Sequence, residues 1–138
     1  MFASFGGSSY GTAVAVKPGL TGAIELRVGE GDTAASLRSG DVLMLGTPRI
    51  VALVEEASMV ALAGRLEPGI TSVGMRVQLD HLIPVPVGVT VRAEATLERV
   101  EGRRLSFTVS VNNERGLVAA GKLTRVLVNR ERFLEKAQ

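Results

Sequence analysis

The sequence contains no cysteine and no tryptophan, and it has only one histidine. Without cysteine the chain can form no disulfide, no thiolate metal site and no thiol nucleophile. A single histidine is too few for an ordinary zinc centre, so we expect no metal and no other cofactor. Aromatic residues make up only 4% of the chain, which leaves few rings on which single-stranded nucleic acid could stack.

An excess of one charge and a long apolar run are also missing. The net charge is +2 and the basic residues are spread along the chain, so we expect no nucleic-acid partner. No apolar run approaches the roughly 20 residues that a membrane-spanning helix needs. The N-terminus, MFASFGGSSYG, lacks the basic and apolar segments of a secretory signal. We therefore expect a cytoplasmic protein with no membrane partner.

The remaining composition is that of a globular chain, with 46% apolar and 22% charged residues among 138. Residues 1–16 are rich in Gly, Ser and Ala and are predicted to be a flexible lead-in, although TAVAV at 12–16 could pair as an edge strand. Residues 17–138 are predicted to form a single domain.

One long helix dominates the predicted elements. It begins with Thr47 as its N-cap and Pro48 as its first helical residue, and Pro68-Gly69 ends it. Its apolar residues occupy most of the circumference, more than one sheet face can cover. We therefore expect a second subunit to cover the rest, giving a homodimer, with a tetramer as the alternative.

Period-two alternation predicts strands before and after this helix. A short strand at 23–28 and a loop with one helical turn at 29–41 come first. Four further strands are predicted to form an antiparallel meander, and the charged tail is predicted to be helical. A change of parity near Arg125 suggests a bulge, and the small run 119–121 suggests a place where the helix approaches closely. The fold class is α+β, with an antiparallel sheet wrapped around one central helix.

Two titratable side chains are predicted to point into the apolar layer. His81 has the same parity as Met75, Val77 and Leu79, and Glu55 lies on a largely apolar strip of the helix. A buried carboxyl group and a buried imidazole are tolerated when they pair or reach a cleft, and such groups are suited to acid–base or nucleophilic chemistry. Thr47 adds a hydroxyl beside the backbone N–H groups of the helix start, which can stabilise an oxyanion.

These residues carry a resemblance. The segments GTPRIVALVEEA, EPGITSVGMRVQLDHLIPVPVG and ERVEGRRLSF resemble the fluoroacetyl-CoA thioesterase family of hotdog-fold proteins. The similarity extends from about Lys17 to Phe133. It implies a homodimer that hydrolyses an acyl-CoA at the subunit interface, with Thr47, Glu55 and His81 as catalytic residues. It also implies a substrate-pocket role for Gly74.

The resemblance is incomplete at one place. The fluoroacetate-specific member has a phenylalanine gate shortly before the threonine, whereas the matching segment here, DVLMLG at 41–46, has no aromatic residue. A different short or medium acyl-CoA is therefore the expected substrate.

Simpler explanations exist for each candidate. Thr47 could be only a helix cap, and His81 could be an ordinary core histidine. Gly74 could merely permit a close backbone approach or a bulge. Glu56 is expected to be salt-bridged or exposed, with no part in catalysis. A non-catalytic acyl-CoA binder, a hotdog hydratase or dehydratase, and a structural dimer module remain as alternative functions.

Three other patterns do not support a site. GSSYG at 7–11 matches a nucleophile elbow but lacks the flanking strand and helix. GEGDTA at 29–34 lacks the third glycine and the βαβ context of a dinucleotide site. Arg103 and Arg104 could contact CoA phosphates, although arginines in a hairpin are more often simply solvated.

Overall fold

The computed structural model describes residues 16–138. The predictions made for residues 1–15, including the GSSYG pattern and most of the TAVAV strand, lie outside this part of the chain. The described residues form five strands, which are β1 (Thr21–Arg27), β2 (Ile70–His81), β3 (Thr90–Glu101), β4 (Arg104–Asn113) and β5 (Gly116–Asn129). The helices are α1 (Ala34–Leu37), α2 (Thr47–Leu62) and α3 (Arg130–Glu135), and a 3-10 turn covers Glu30–Asp32.

The strands form one antiparallel sheet in the order β1-β3-β4-β5-β2. The α+β prediction is confirmed, as are the helical turn in the 29–41 loop and the helical tail. The predicted four-strand meander is wrong, because only β3, β4 and β5 follow one another in space. Both sides of β3 are taken by β1 and β4, so β2 pairs with β5 and forms an edge of the sheet.

The inner face of the sheet is as apolar as the alternation predicts. Residues of one parity are buried on β3 and β4, with Phe107 the largest of the fully buried side chains. The helix packs against this face and comes closest at Gly22, where an added Cβ would overlap the carbonyl oxygen of Ala57 and the amide of Ala61. The prediction that the helix approaches residues 119–121 is therefore wrong. Gly121 instead lies against the backbone of Gln78 in β2.

Both ends of α2 differ from the prediction. Gly46 is the N-cap residue, in extended conformation, and Thr47 and Pro48 are the first and second helical residues. A residue larger than glycine does not fit easily there, since a Cβ would lie 3.0 Å from Cα of Ala34. At the other end the helix stops at Leu62, before Pro68-Gly69.

The sheet irregularity near Arg125 also lies elsewhere than predicted. Arg125 is buried on the same face as Leu123 and Leu127, so the alternation of β5 is unbroken around Arg125. The register shift is in β2, between Gly74 and Arg76, directly opposite. Arg125 is a charged residue at an inward-facing position of β5. In the sequence this made the alternation of apolar and polar residues look as if it changed parity.

Part of the apolar surface of α2 is exposed in the single chain. Met59 and Val60 are 55% and 45% exposed, although helix residues of the opposite side are fully buried. No helix among residues 16–138 is long and apolar enough to cross a bilayer.

Candidate active site

Thr47 and His81 are in direct contact at one end of the helix. Thr47 stands in the first turn of α2, and His81 is the last residue of β2. The Thr47 Oγ1 lies 2.9 Å from Nδ1 of His81. The hydroxyl is thus engaged by the imidazole, and no side chain caps the helix. The prediction that Thr47 is a cap is wrong, and the contact shows a different use for its hydroxyl.

The second ring nitrogen of His81 defines the tautomer. Its Nε2 lies 3.1 Å from the carbonyl oxygen of Ile83, and a carbonyl oxygen can only accept. In the neutral ring Nε2 therefore carries the proton, which leaves Nδ1 to accept the hydroxyl proton of Thr47. This arrangement combines a hydroxyl, a base and a group that orients the base. It is found in sites that use a nucleophile activated by a general base.

Glu55 lies two turns further along α2, against Gly74 of β2. A Cβ added to Gly74 would overlap the Oε2 of Glu55, so glycine makes room for the carboxylate beside the strand. The Glu55 side chain is 33% exposed and reaches the surface at this point. Gly74 also adjoins the bulge, which confirms that explanation for it. The atoms that approach it belong to side chains, so the expected close backbone approach is not found. The part of Gly74 in substrate binding stays a prediction.

Arg125 is the site residue that the sequence did not reveal. Its Nη1 lies 3.4 Å from Oε2 of Glu55, and its side chain is only 5% exposed. Its Nε donates to the hydroxyl of Ser72 at 2.8 Å and its Nη2 to the carbonyl oxygen of Ser72 at 3.0 Å. Burial lowers the pKa of the Arg125 guanidinium, and the charge of Glu55 opposes this shift. A cation is thus fixed against the carboxylate from the inside of the sheet.

The candidate residues form two clusters rather than one. Thr47 and His81 make the first, which we call the hydroxyl–imidazole pair. Glu55, Gly74 and Arg125 make the second, which we call the carboxylate cluster. The eight residues from Thr47 to Glu55 place the clusters about 12 Å apart along the helix axis. Such a distance is too long for both to contact the same carbonyl carbon from one chain.

Glu56 is separate from both clusters, as expected. Its Oε1 accepts from Nη1 of Arg49 at 2.9 Å, and the same arginine pairs with Asp32 at 3.0 Å. The ion pair between Arg49 and Asp32 connects the start of α2 to the 3-10 turn. Within residues 16–138, His, Asp and Glu side chains form no group of three that could hold a metal ion.

Comparison with known proteins gives consistent results for fold and family. The solved structure of the fluoroacetyl-CoA thioesterase superposes with a TM-score of 0.83 at 30% sequence identity, covering 88% of this chain and 95% of that one. A Thermus thermophilus protein described as a thioesterase superfamily member gives a TM-score of 0.82 at 26% identity, covering 88% and 90%. These matches define a hotdog-fold protein of the thioesterase class.

Sequence comparison narrows the class to a family. The profile of the fluoroacetyl-CoA-specific thioesterases matches residues 28–131. The fluoroacetyl-CoA thioesterase of Streptantibioticus cattleyicolor is 36% identical over 95 residues, which is 69% of this chain and 68% of that protein. The chain belongs to the fluoroacetyl-CoA-specific thioesterase family.

Proposed function

We propose that this protein is a cytoplasmic acyl-CoA thioesterase whose catalytic residues are Thr47, Glu55 and His81. The reaction adds water to the thioester carbonyl and releases a carboxylic acid and the free thiol of CoA. Family membership supports thioester hydrolysis. The observation that carries the residue assignment is the Thr47 hydroxyl bonded to an imidazole whose other nitrogen is held by a backbone carbonyl.

His81 is proposed to move the proton. Its Nδ1 takes the proton that the attacking water loses, and the Thr47 hydroxyl holds the ring and the water in place. The same proton then goes to the departing sulfur of CoA, so the imidazole returns to its starting tautomer. General acid–base transfer of this kind typically contributes about 10²–10⁴ in rate.

Glu55 is proposed to face the same carbonyl at the interface of a homodimer, where the carboxylate cluster and the hydroxyl–imidazole pair come from different subunits. Its carboxylate is exposed enough to meet a substrate and is held in place by Arg125. It serves either as the nucleophile, forming a mixed anhydride that water then opens, or as the base that activates water. Hydrolysis in ¹⁸O-water under single-turnover conditions separates these routes. Attack of water on the Glu55 carbonyl of the anhydride places ¹⁸O in the carboxylate of Glu55, and direct attack of water on the thioester does not.

Backbone N–H groups are proposed to stabilise the oxyanion. The first turn of α2 carries the positive end of the helix dipole next to Thr47. Gly74 presents backbone beside the Glu55 carboxylate without a side chain in the way. In this proposal one of these two positions supplies the donors to the carbonyl oxygen.

The substrate is proposed to carry a short or medium aliphatic acyl group. The segment at 41–46 contains Val42 and Leu43, which are 53% and 70% exposed and lie just before Thr47. Aliphatic side chains at this position suit an alkyl chain and provide no aromatic ring to select for fluorine. A panel of acyl-CoA esters of increasing length, with fluoroacetyl-CoA included, tests the assignment through the release of free thiol.

Two competing functions give different results in the same assay. A non-catalytic binder would bind acyl-CoA and release no thiol. A hydratase would need a second acid beside His81, but Asp80 is exposed and points to the other face of β2. The structure therefore offers no support for the hydratase alternative.

A further inference from the structure

The imidazole of His81 is oriented by the main chain and not by a side chain. Its Nε2 lies 3.1 Å from the carbonyl oxygen of Ile83. A main-chain acceptor stays in the chain whatever side chain it carries, so the position of this oxygen depends on the backbone dihedral angles of Ile83 and its neighbours. The feature that fixes these angles therefore also orients the ring, whose Nδ1 lies 2.9 Å from the Thr47 hydroxyl.

The segment that begins at Ile83 has little conformational freedom. It reads Ile83-Pro84-Val85-Pro86, and we call residues 83–86 the proline brace. Each proline ring locks its own φ at about −65°. Each residue before a proline is kept out of the helical region by the proline Cδ. All four residues of the brace are thus restricted, and Ile83 is held in an extended or polyproline conformation because Pro84 follows it.

The proline brace is held by main-chain hydrogen bonds just before it and within it. The N–H of Leu82 donates to the carbonyl oxygen of Val118 in β5 at 2.7 Å. Val85, inside the brace, is fully buried in the core, and its carbonyl oxygen accepts from the N–H of Leu45 at 2.8 Å. The carbonyl group of Ile83 lies between these two anchored residues, so the backbone on either side of it is fixed.

The proline brace contacts both sides of the hydroxyl–imidazole pair. One of its carbonyl groups holds the ring of His81, and another holds Leu45, which lies two residues before Thr47. Met44 also forms a single β-bridge with Pro86. The end of β2 and the start of α2 are therefore attached to the same short, restricted segment. This common attachment keeps the hydroxyl and the imidazole at hydrogen-bonding distance.

We propose that Pro84 is a positioning residue, which restricts Ile83 and so keeps the ring of His81 in the tautomer that accepts a proton at Nδ1. This inference rests on the proposed function, because it explains how the proposed proton-transfer group is oriented. Pro84 and Pro86 are both exposed, so their rings add little to the core. Their effect is therefore on the backbone. An orienting group that is already fixed needs no reorganisation when the proton is transferred.

Nuclear magnetic resonance of the imidazole tests the tautomer without any catalytic measurement. His81 is the only histidine in the chain, so ¹⁵N-histidine labelling of protein without a histidine tag reports on this ring alone. In alkaline buffer, where an imidazole is neutral, we expect the wild type to show a protonated Nε2 and an unprotonated Nδ1. Pro84→Ala should bring the shifts of the two nitrogens closer together, because the ring then exchanges between tautomers.

Thiol release by the same variants measures the effect on the reaction. Pro84→Ala should lower kcat by about two- to tenfold with KM unchanged, as expected for one weakened hydrogen bond. Pro84→Gly should lower kcat further, since glycine gives the segment the most freedom. Pro68→Ala is the matched control, because Pro68 is also exposed and lies in the turn before β2, at the opposite end of that strand from His81. It frees the unfolded chain to the same extent and should leave the ring shifts and kcat unchanged.

Three results would overturn the inference. The first is a wild-type ring protonated at Nδ1. The second is a Pro84→Ala variant whose folded form keeps the wild-type shifts and kcat, since the proline would then be structural only, whatever the loss of stability. The third is an equal change of shifts and kcat in Pro68→Ala. If the wild type hydrolyses no acyl-CoA but Pro84→Ala mixes the tautomers, the proposed function fails and the positioning of the ring by Pro84 stands.

Discussion

Replacing Arg125 by methionine should destabilise the protein far more than replacing an ordinary sheet arginine. Methionine retains much of the apolar stem but none of the donors. The variant loses the bond to the Ser72 hydroxyl at 2.8 Å and the bond to the Ser72 carbonyl at 3.0 Å. It also leaves Glu55 without its cation, formerly 3.4 Å away.

The expected loss of stability follows from the burial of Arg125. Removing one partner of a fully buried ion pair costs about 3–5 kcal/mol. Glu55 is 33% exposed and can be solvated in part, which lowers this cost. Methionine fills part of the space, so the cavity contribution is small. We expect the free energy of unfolding to fall by about 3 kcal/mol, a value within the range for loss of a buried network.

Urea unfolding, followed by circular dichroism at one fixed protomer concentration, measures this change. Glu55→Gln is the matched variant, because it leaves both Ser72 bonds intact, and it should cost only about 1 kcal/mol. Arg125→Lys should fall between the two, since an ammonium group cannot reproduce the guanidinium fork. A loss below about 1 kcal/mol for Arg125→Met would refute the reasoning that this arginine is a required buried cation.

Three further substitutions test other contacts. In a thiol-release assay, Thr47→Val should lower kcat by about 10²–10⁴ because His81 loses its hydroxyl partner. Thr47→Ser should retain most of the activity, and equal rates for the two variants would contradict a role for the hydroxyl. Gly74→Ala should displace the flexible Glu55 carboxylate and reduce activity with little change in melting temperature, and full activity would show that its position is not critical. Gly22→Ala should lower the free energy of unfolding by about 2–3 kcal/mol because the new Cβ meets the backbone of α2. Gly31→Ala, whose Cβ would have no atom within 4 Å, should be nearly neutral. Similar losses for the two variants would contradict the close approach of α2 to Gly22.

The alternation of side chains predicted much of the fold. β3 and β4 bury one parity and expose the other, which is what the sequence pattern indicates. The order of the strands was harder to predict, because β2 and β5 pair through contacts between distant residues. The position of β2 depends on which edges remain free after β1, β3 and β4 have paired.

The site was predicted in part. The parity of His81 correctly placed its ring toward the helix, where it meets Thr47. Arg125 was missed because a charged residue on an inner face looks like a break in the pattern, and its burial is stabilised by Ser72 and Glu55 from two other elements. The one available signal was the parity of Arg125 itself, which matches Leu123 and Leu127 once no bulge is placed at Arg125. Thr47 was expected to cap the helix because Thr-Pro is typical of helix starts, but Gly46 takes that position.

The most direct test of the account is thiol release from acyl-CoA esters of increasing chain length by the wild type, Glu55→Ala and His81→Ala. We expect the wild type to hydrolyse a short or medium acyl-CoA, and both variants to lose this activity while unfolding as cooperatively as the wild type. Hydrolysis that persists in either folded variant, or binding of acyl-CoA without any thiol release by the wild type, would contradict the account.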